Sequence, residues 1–329
     1  MPVSRPAALA AIAPSEREQF LTDVVAGLSR NDKSIPGKYL WDETGSDLFD
    51  RICSTRDYYL TRGETALLEE AAGEIAACVG EGVSLVEYGS GASRKVRILL
   101  DGMRAPRRYV PIDISAEYLG NAAERIAEDY PSLEVLPIVG DYSLPIDLRD
   151  RAGDGPVLGF FPGSTIGNFD RNGAVAFVQR VSATLDGGWF LVCHDTNRDA
   201  ASLRRAYGEA DGLMPALHLN LLSHVNRVLG ADFVVSDFRH EIRIEEDPFR
   251  VEAGLVARRD TSCRVGGLRF AFAEGERLHT DTSYKMDVET FLQLALSGGW
   301  SARRSWVGAD GRIALHLLAR RERHFAEAL

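Results

Sequence analysis

Between residues 62 and 200 the chain alternates short β-rich apolar runs with amphipathic stretches of helical period, and no other feature limits its fold so strongly. Runs at 83–88, 108–114, 133–139, 157–161 and 189–194 read as strands. The stretches 65–79, 116–128 and 172–185 place apolar residues three and four apart and read as helices. Such alternation predicts βαβ units and an α/β fold with a doubly wound, Rossmann-like parallel sheet covered on both faces. After residue 200 the texture changes. A long helix is expected at 200–229, then antiparallel strands at 238–246, 249–258 and 268–272, and the end returns to a helix at 287–297 and strands at 301–307 and 312–319 around a turn. At 329 residues the chain exceeds the size of one core. A main domain of 62–200 with 286–329, and a second, smaller α+β domain of 1–61 with 201–285, are therefore expected.

Charge narrows the partners. The formal net charge is −10, and the basic residues are interleaved with acids apart from short pieces at 103–108 and 320–323, which disfavours a nucleic-acid partner. No continuous apolar stretch reaches the length of a membrane helix. The Ala-rich N-terminal run is short and interrupted by Pro6 and Pro14, unlike a secretory leader. Cys53, Cys78, Cys193 and Cys263 show no C-x-x-C spacing, and the histidines show no H-E-x-x-H spacing. A cytoplasmic monomer that acts on a small molecule, with no metal, no nucleic acid and no membrane, is the expectation.

The most informative local cluster is Val86-Glu87-Tyr88-Gly89-Ser90-Gly91-Ala92-Ser93, directly after the first strand and ahead of a helical segment near Arg94. Glycines let the backbone turn tightly against a ligand there, and the helix N-terminus offers free N–H groups. Asp113 closes the second strand, where a carboxylate accepts from both hydroxyls of a ribose. Asp141, followed by Tyr142, closes the third, where it can accept from the exocyclic amine of adenine. Each acid alone also reads as an ordinary strand-end or capping residue. Together, on consecutive strand ends beside Gly89, Ser90 and Gly91, they imply an adenosine ligand. The dinucleotide fingerprint requires a third glycine at position 94, where Arg94 stands. Glu87 adds negative charge that suits a sulfonium or ammonium better than a pyrophosphate. S-Adenosyl-L-methionine is favoured, a NAD(P)-dependent reductase is the more distant alternative, and the closing helix and hairpin suit the final strands of a class I methyltransferase sheet.

Longer motifs add a resemblance. Gly37-Lys38-Tyr39-Leu40-Trp41-Asp42-Glu43-Thr44-Gly45-Ser46-Asp47-Leu48-Phe49-Asp50, Tyr58-Tyr59-Leu60-Thr61-Arg62, Pro162-Gly163-Ser164-Thr165-Ile166-Gly167-Asn168 and Thr282-Ser283-Tyr284-Lys285 resemble the histidine Nα-methyltransferase family of ergothioneine biosynthesis over nearly the whole chain. The resemblance implies successive transfer of three methyl groups from S-adenosylmethionine to the α-amine of L-histidine, giving hercynine. It implies that the smaller domain closes over the amino acid. It assigns the substrate carboxylate and amine to Tyr58, Asn168 and Tyr207 with Gly163 nearby, the imidazole to the segment from Asp281 to Ser283, and the cofactor to Gly89, Lys95, Asp113 and Asp141.

Elementary chemistry suits those assignments. Methyl transfer is an in-line displacement at an already activated carbon, so the protein positions and desolvates and needs no nucleophile of its own. Asn and Tyr side chains can hold a carboxylate and orient an amine without adding a cation. Asn168 also reads as a helix cap, and Tyr58 and Tyr207 as packing residues with satisfied hydroxyls. Many members of the family carry Glu where Asp281 stands, some carry Met where Ala253 stands, and some carry Tyr in place of Trp41. A shorter acid and a smaller neighbour enlarge the side-chain pocket, which leaves a tryptophan derivative or a modified histidine as alternative substrates. Cys193-His194-Asp195 is no triad, because adjacent strand residues face opposite ways; Asp195 reads instead as a strand-end residue lining the cleft. Gly163-Ser164-Thr165-Ile166-Gly167 has its serine one place too early for a nucleophile elbow.

Overall fold

A computed structural model describes residues 14–91, 94–185 and 188–320. Most of the N-terminal run, Ala92 and Ser93 of the glycine-rich turn, and the last basic cluster beyond Arg320 lie outside the described residues. The alternation in the first two-thirds of the chain folds into β1 (Ser84–Tyr88), β2 (Arg108–Asp113), β3 (Glu134–Val135), β4 (Ile138–Val139), β5 (Val157–Phe161) and β6 (Trp189–Asp195). The strands β7 (Phe238–Glu246), β8 (Phe249–Ala257), β9 (Thr261–Val265), β10 (Leu268–Phe272) and β11 (Arg277–Tyr284) follow, and β12 (Trp300–Val307) and β13 (Ile313–Arg320) close the chain.

The central sheet has the order β12-β13-β6-β5-β1-β2-β3, with β4 also on β2. Pairing is parallel from β3 and β4 through β6, and antiparallel where β13 meets β6 and β12. Successive residues of β1 feed opposite layers: Leu85 belongs to the core cluster of Leu67, Leu99 and Phe160, while Val86 belongs to that of Val110, Phe161 and Phe177. Burial on both faces explains why these strands read as continuous apolar runs rather than as alternating ones. Strand order reverses between β1 and β5, the switch point beyond whose carboxyl ends ligands bind in open α/β sheets. The later strands β7, β8 and β11 form a separate antiparallel sheet in the order β11-β8-β7, with β9 and β10 as a hairpin.

Four expectations need correction. The run at 133–139 is not one strand. Pro137 has no N–H to continue a ladder, so β3 and β4 each pair with β2 on either side of it. The long helix expected at 200–229 is broken. A helix Ala200–Arg204 passes into a π-helical turn Arg205–Glu209, and Ala210, Asp211 and Gly212 then take φ of 40°, 56° and 79° before the helix Leu213–Leu229. Left-handed residues cannot continue a helix, and the Asp-Gly pair tolerates that region best. Asp195 does not line the cleft: it is 0% exposed and lies beneath the cleft wall. Finally, β9, β11 and the helices Pro14–Leu28 and Glu43–Cys53 have no counterpart in the sequence reading, and the helix expected from residue 65 begins at Tyr59.

The helix Val288–Ser297 and β12 complete one layer of the core through Phe291 and Trp300, both fully buried. The Trp300 indole donates to the Val178 carbonyl at 2.8 Å and its ring tilts against Phe190 at 5.4 Å. We expect Trp300→Ala to destabilise the protein by about 3–5 kcal/mol, the range for deleting a fully buried aromatic side chain. Urea denaturation followed by circular dichroism measures it, and a loss below about 1 kcal/mol would show that this layer is not structural.

Candidate functional site

At the carboxyl ends of β1, β2, β4 and β5 lies a cleft of about 850 Å³. The residues expected to hold cofactor and substrate border it: Glu87, Gly89, Ser90, Gly91, Lys95, Asp113, Asp141 and Tyr142 toward the central sheet, and Tyr58, Gly163, Asn168, Tyr207, Asp281 and Ser283 toward the later segments. They come from widely separated stretches of chain.

At the sheet end, Gly89 leaves β1 with φ of 76°, and a Cβ there would approach the Tyr142 ring to 3.4 Å. The turn is tied to the neighbouring strand: Asp113 Oδ2 accepts from the Gly91 N–H at 3.1 Å and Oδ1 from the Ser115 N–H at 3.0 Å. Burial raises the Asp113 carboxyl above its usual range against the pull of these N–H groups. Asp141 Oδ1 accepts from the Ser143 N–H at 2.9 Å, and its other oxygen lies 3.6 Å from the Lys38 ammonium, which also meets Asp23 at 3.1 Å. Tyr142 stands edge-on to Phe161 at 5.5 Å. The Ser90 hydroxyl is buried and finds no hydrogen-bond partner among the described residues.

Glu87 departs from the sequence reading. Its carboxyl is 1% exposed, bonded by the Tyr109 hydroxyl, and pushed by burial up to about 8. At pH 7 it is predominantly neutral, because desolvation outweighs the hydrogen bond that favours the anion. It is not the fixed negative charge expected.

Lys95, on the helix Arg94–Gly102, pairs with a carboxylate that sequence reasoning missed, Glu64 of the helix Tyr59–Val79. Both Glu64 oxygens also accept from the Gly163 N–H, at 3.0 and 2.9 Å. Burial alone would lower the Lys95 ammonium, but the Glu64 charge holds it above its ordinary value. Glu64 thus joins the loop after β5 to the helix that carries Lys95. In that loop Ser164 takes the left-handed region at φ of 59°, and Gly167 lies so near β11 that a Cβ would sit 2.6 Å from the Tyr284 carbonyl oxygen. Only glycine permits that approach.

The opposite wall is aromatic. Trp41, Phe49, Tyr58 and Tyr207 follow one another edge to face at 5.1, 5.7 and 6.2 Å. Burial keeps Tyr58 and Tyr207 protonated, so they present hydroxyls rather than charge. Tyr207 sits in the π-helical turn, a local widening that recurs at functional sites. Asn168 ends the turn Thr165–Asn168 exposed to the cleft and makes no side-chain cap. On β11 a bulge between His279 and Asp281 sets the register so that Asp281 lies opposite Ala253 of β8. Alternation then puts Asp281 and Ser283 on one side of the strand, and Lys285, just past its end, donates to the Ser283 hydroxyl. Burial pushes the Asp281 carboxyl up to about 7. His218 also borders the cleft, its ring stacked on His240 at 4.6 Å and its Nδ1 2.8 Å from the Thr280 hydroxyl. Of the residues missed, Phe49 and Lys285 stood inside motifs already quoted. Glu64 and His218 are each one of several polar residues on their helices, and no local spacing distinguishes them from the others.

A family model described as histidine-specific, S-adenosylmethionine-dependent methyltransferase matches residues 20–320. The chain belongs to this family. It is 36% identical over 314 residues to the histidine N-alpha-methyltransferase of Mycolicibacterium smegmatis, covering 94% of this chain and 97% of that protein. The histidine N-alpha-methyltransferase of Mycobacterium tuberculosis is 35% identical over 91% of this chain and 94% of its own length. More distant is the N-methyltransferase fsqC of Aspergillus fumigatus, 26% identical over 88% of this chain and 81% of its own. The chain is therefore an S-adenosylmethionine-dependent methyltransferase, and among its described residues no helix is long and apolar enough to cross a membrane.

The Glu64–Lys95 pair, its carboxylate buried and its ammonium on the cleft border, gives a test of the architecture. Glu64→Leu leaves the Gly163 N–H unpaired and the ammonium without its partner, and we expect a loss of about 1–3 kcal/mol in denaturant stability. Adding Lys95→Met should recover part of it. A single variant as stable as the parent would mean that the pair does not hold this end of the cleft.

Proposed function

We propose that this methyltransferase acts on the α-amine of L-histidine, adding methyl groups in succession up to hercynine, the trimethylated product used in ergothioneine biosynthesis. The observation that carries the reading is one cleft, in a chain of the histidine-specific family, where strand-end acids suited to adenosine share the lining with the Tyr58 and Tyr207 hydroxyls, the Asn168 amide and Asp281. The names of the two mycobacterial relatives support the same substrate. Residues 62–200 with 286–329 would form the cofactor domain, and 1–61 with 201–285 the part that encloses the amino acid.

The residues present fit the methyl donor. Asp113 would accept from the ribose hydroxyls, Asp141 from the adenine amine, and the buried, unpartnered Ser90 hydroxyl would find its hydrogen bond in the ligand. Gly89 and Gly91 let the backbone approach, Tyr142 covers the ring, and Lys95, its charge balanced by Glu64, presents its remaining N–H groups. The neutral Glu87 carboxyl backs the turn. When bound, S-adenosylmethionine supplies a methyl carbon already activated by its sulfonium. The protein's own task is to hold the amine lone pair in line and to exclude water. Asn168 and Tyr58 orient the amine with groups that tolerate the cation it becomes, Tyr207 takes the carboxylate beside Gly163, and Asp281 and Ser283 take the two imidazole nitrogens.

Incubation with S-adenosylmethionine and single amino acids, followed by mass spectrometry, should show gains of one, two and three methyl groups on histidine. Tryptophan and ring-modified histidines run in parallel test the width left by Ala253. No gain on histidine would refute the assignment.

Asp281 gives a second expectation. With its carboxyl raised to about 7, the anionic acceptor is present above that pH and lost below it. A charge-assisted bond to the imidazole N–H contributes about 1.5–3 kcal/mol, so Asp281→Asn should lower kcat/KM for histidine by about 10- to 100-fold at pH 8. The ratio of parent to variant should shrink as pH falls from 8 to 6. A ratio independent of pH would show that the carboxylate does not hold the ring.

A further inference from the structure

Beneath the amino-acid end of the cleft lies an ion pair that touches no open volume. The Lys285 ammonium, on a residue 2% exposed, donates to Asp195 Oδ2 at 2.8 Å, to the Tyr207 hydroxyl oxygen at 2.6 Å and to the Ser283 hydroxyl oxygen at 2.8 Å. An ammonium has three N–H groups, so all are used, and none remains for a ligand. Asp195 is held in turn: Oδ2 accepts from the Tyr59 hydroxyl at 2.6 Å, Oδ1 from the Asn197 N–H at 2.9 Å, and its own N–H donates to the Ser164 hydroxyl at 2.8 Å. Burial alone would lower the Lys285 ammonium, but the Asp195 carboxylate outweighs it and keeps the charge in place.

This arrangement fixes the polarity of the cleft wall. Because Lys285 donates to both oxygens, Tyr207 and Ser283 each keep their own hydrogen to give away. The two hydroxyls are 3.3 Å apart, so one can donate to the other, which leaves the second hydrogen free to serve an acceptor in the cleft that both residues border. A wall so biased seeks acceptors: a carboxylate, or an unprotonated ring nitrogen. We propose that Lys285 is a positioning residue that, anchored by Asp195, turns Tyr207 and Ser283 into donors and so selects substrates with a free α-carboxylate. The proposal rests on the amino-acid reading of the site and extends it to a residue that touches no substrate.

The test compares histidine with histidinamide, whose neutral amide replaces the carboxylate. Removing Lys285 alone leaves Asp195 buried and unpaired, so Lys285→Met is run beside the double variant Asp195→Asn, Lys285→Met, in which the introduced amide oxygen can still accept from the Tyr59 hydroxyl. Variants are first shown by calorimetry to bind S-adenosylhomocysteine as the parent does, which separates a lost preference from a lost fold. The parent should prefer histidine strongly, and in the double variant the ratio of kcat/KM for histidine over histidinamide should fall at least about tenfold, mostly through KM. In a Tyr207→Phe background, Lys285→Met should change that ratio much less, because the hydroxyl it orients is gone. A structural defect would slow both substrates alike and leave the ratio unmoved. An unchanged ratio in a folded variant that binds S-adenosylhomocysteine overturns the role of Lys285 while the methyltransferase reading stands. Failure of the parent to methylate histidine overturns that reading, and this role with it.

Discussion

The Asp195–Lys285 pair is the contact on which the geometry of the cleft depends. Asp195 ends β6, Lys285 follows β11, and around them meet the first turn of the helix Tyr59–Val79, the loop after β5 and the π-helical turn of Tyr207. Two main-chain bonds reinforce the junction, from Lys285 N–H to the Phe249 carbonyl at 3.0 Å and from Met286 N–H to the Asp195 carbonyl at 3.3 Å. Burying two charges costs several kcal/mol, and only good geometry with further hydrogen bonds offsets it. Here every ammonium proton and both carboxylate oxygens are engaged. A pair so fully satisfied has one low-energy arrangement, and it sets the later antiparallel sheet against the central one at the point where the cleft opens.

The two ends of the cleft are built on different principles. Toward the sheet, carboxylates sit at strand ends under backbone N–H groups, and the glycine turn brings the main chain close. Toward the amino acid, the wall is phenols, an amide and indole. Burial keeps the phenols neutral, and the charges of Asp195 and Lys285 are paired one layer back. An amine that must stay neutral to attack, yet become cationic, is best served by dipoles whose strength does not depend on a nearby fixed charge. The acid that remains within reach, Asp281, lies at the far end and titrates near 7, within the range of an imidazole.

Much of the fold was legible because buried parallel strands leave continuous apolar runs, and the alternation over 62–200 maps onto β1 to β6 with boundaries moved by a residue or two. Pro137 hid a break that a hydrophobic pattern cannot show. The helix expected across 200–229 failed where three left-handed residues interrupt it, a tertiary choice, since Ala210 has no intrinsic preference for that region. At the site, the glycine turn and the acids at 113 and 141 could be placed from local grammar. Tyr58, Asn168 and Tyr207 could be named only from motif resemblance, because nothing in an isolated tyrosine announces a cleft. The ion pairs of Glu64 and Asp195 stayed hidden, and the reason is physical: each is joined to a cation far along the chain, Lys95 and Lys285, at a separation that no period in the sequence encodes. Glu87 shows the complementary error. Its charge was read from residue type, whereas burial decides its protonation.

The central claim is that this cleft holds an amino acid in one orientation, with its carboxylate at Tyr207 and its ring at Asp281. A crystal structure with S-adenosylhomocysteine and histidine tests it most directly. The account predicts a histidine carboxylate oxygen within hydrogen-bond distance of the Tyr207 hydroxyl, an imidazole nitrogen within that distance of the Asp281 carboxyl, and the α-nitrogen facing the sulfur beside Asn168. Histidine bound the other way round, with its α-ammonium on Asp281 and its ring among Trp41, Phe49 and Tyr58, would contradict it.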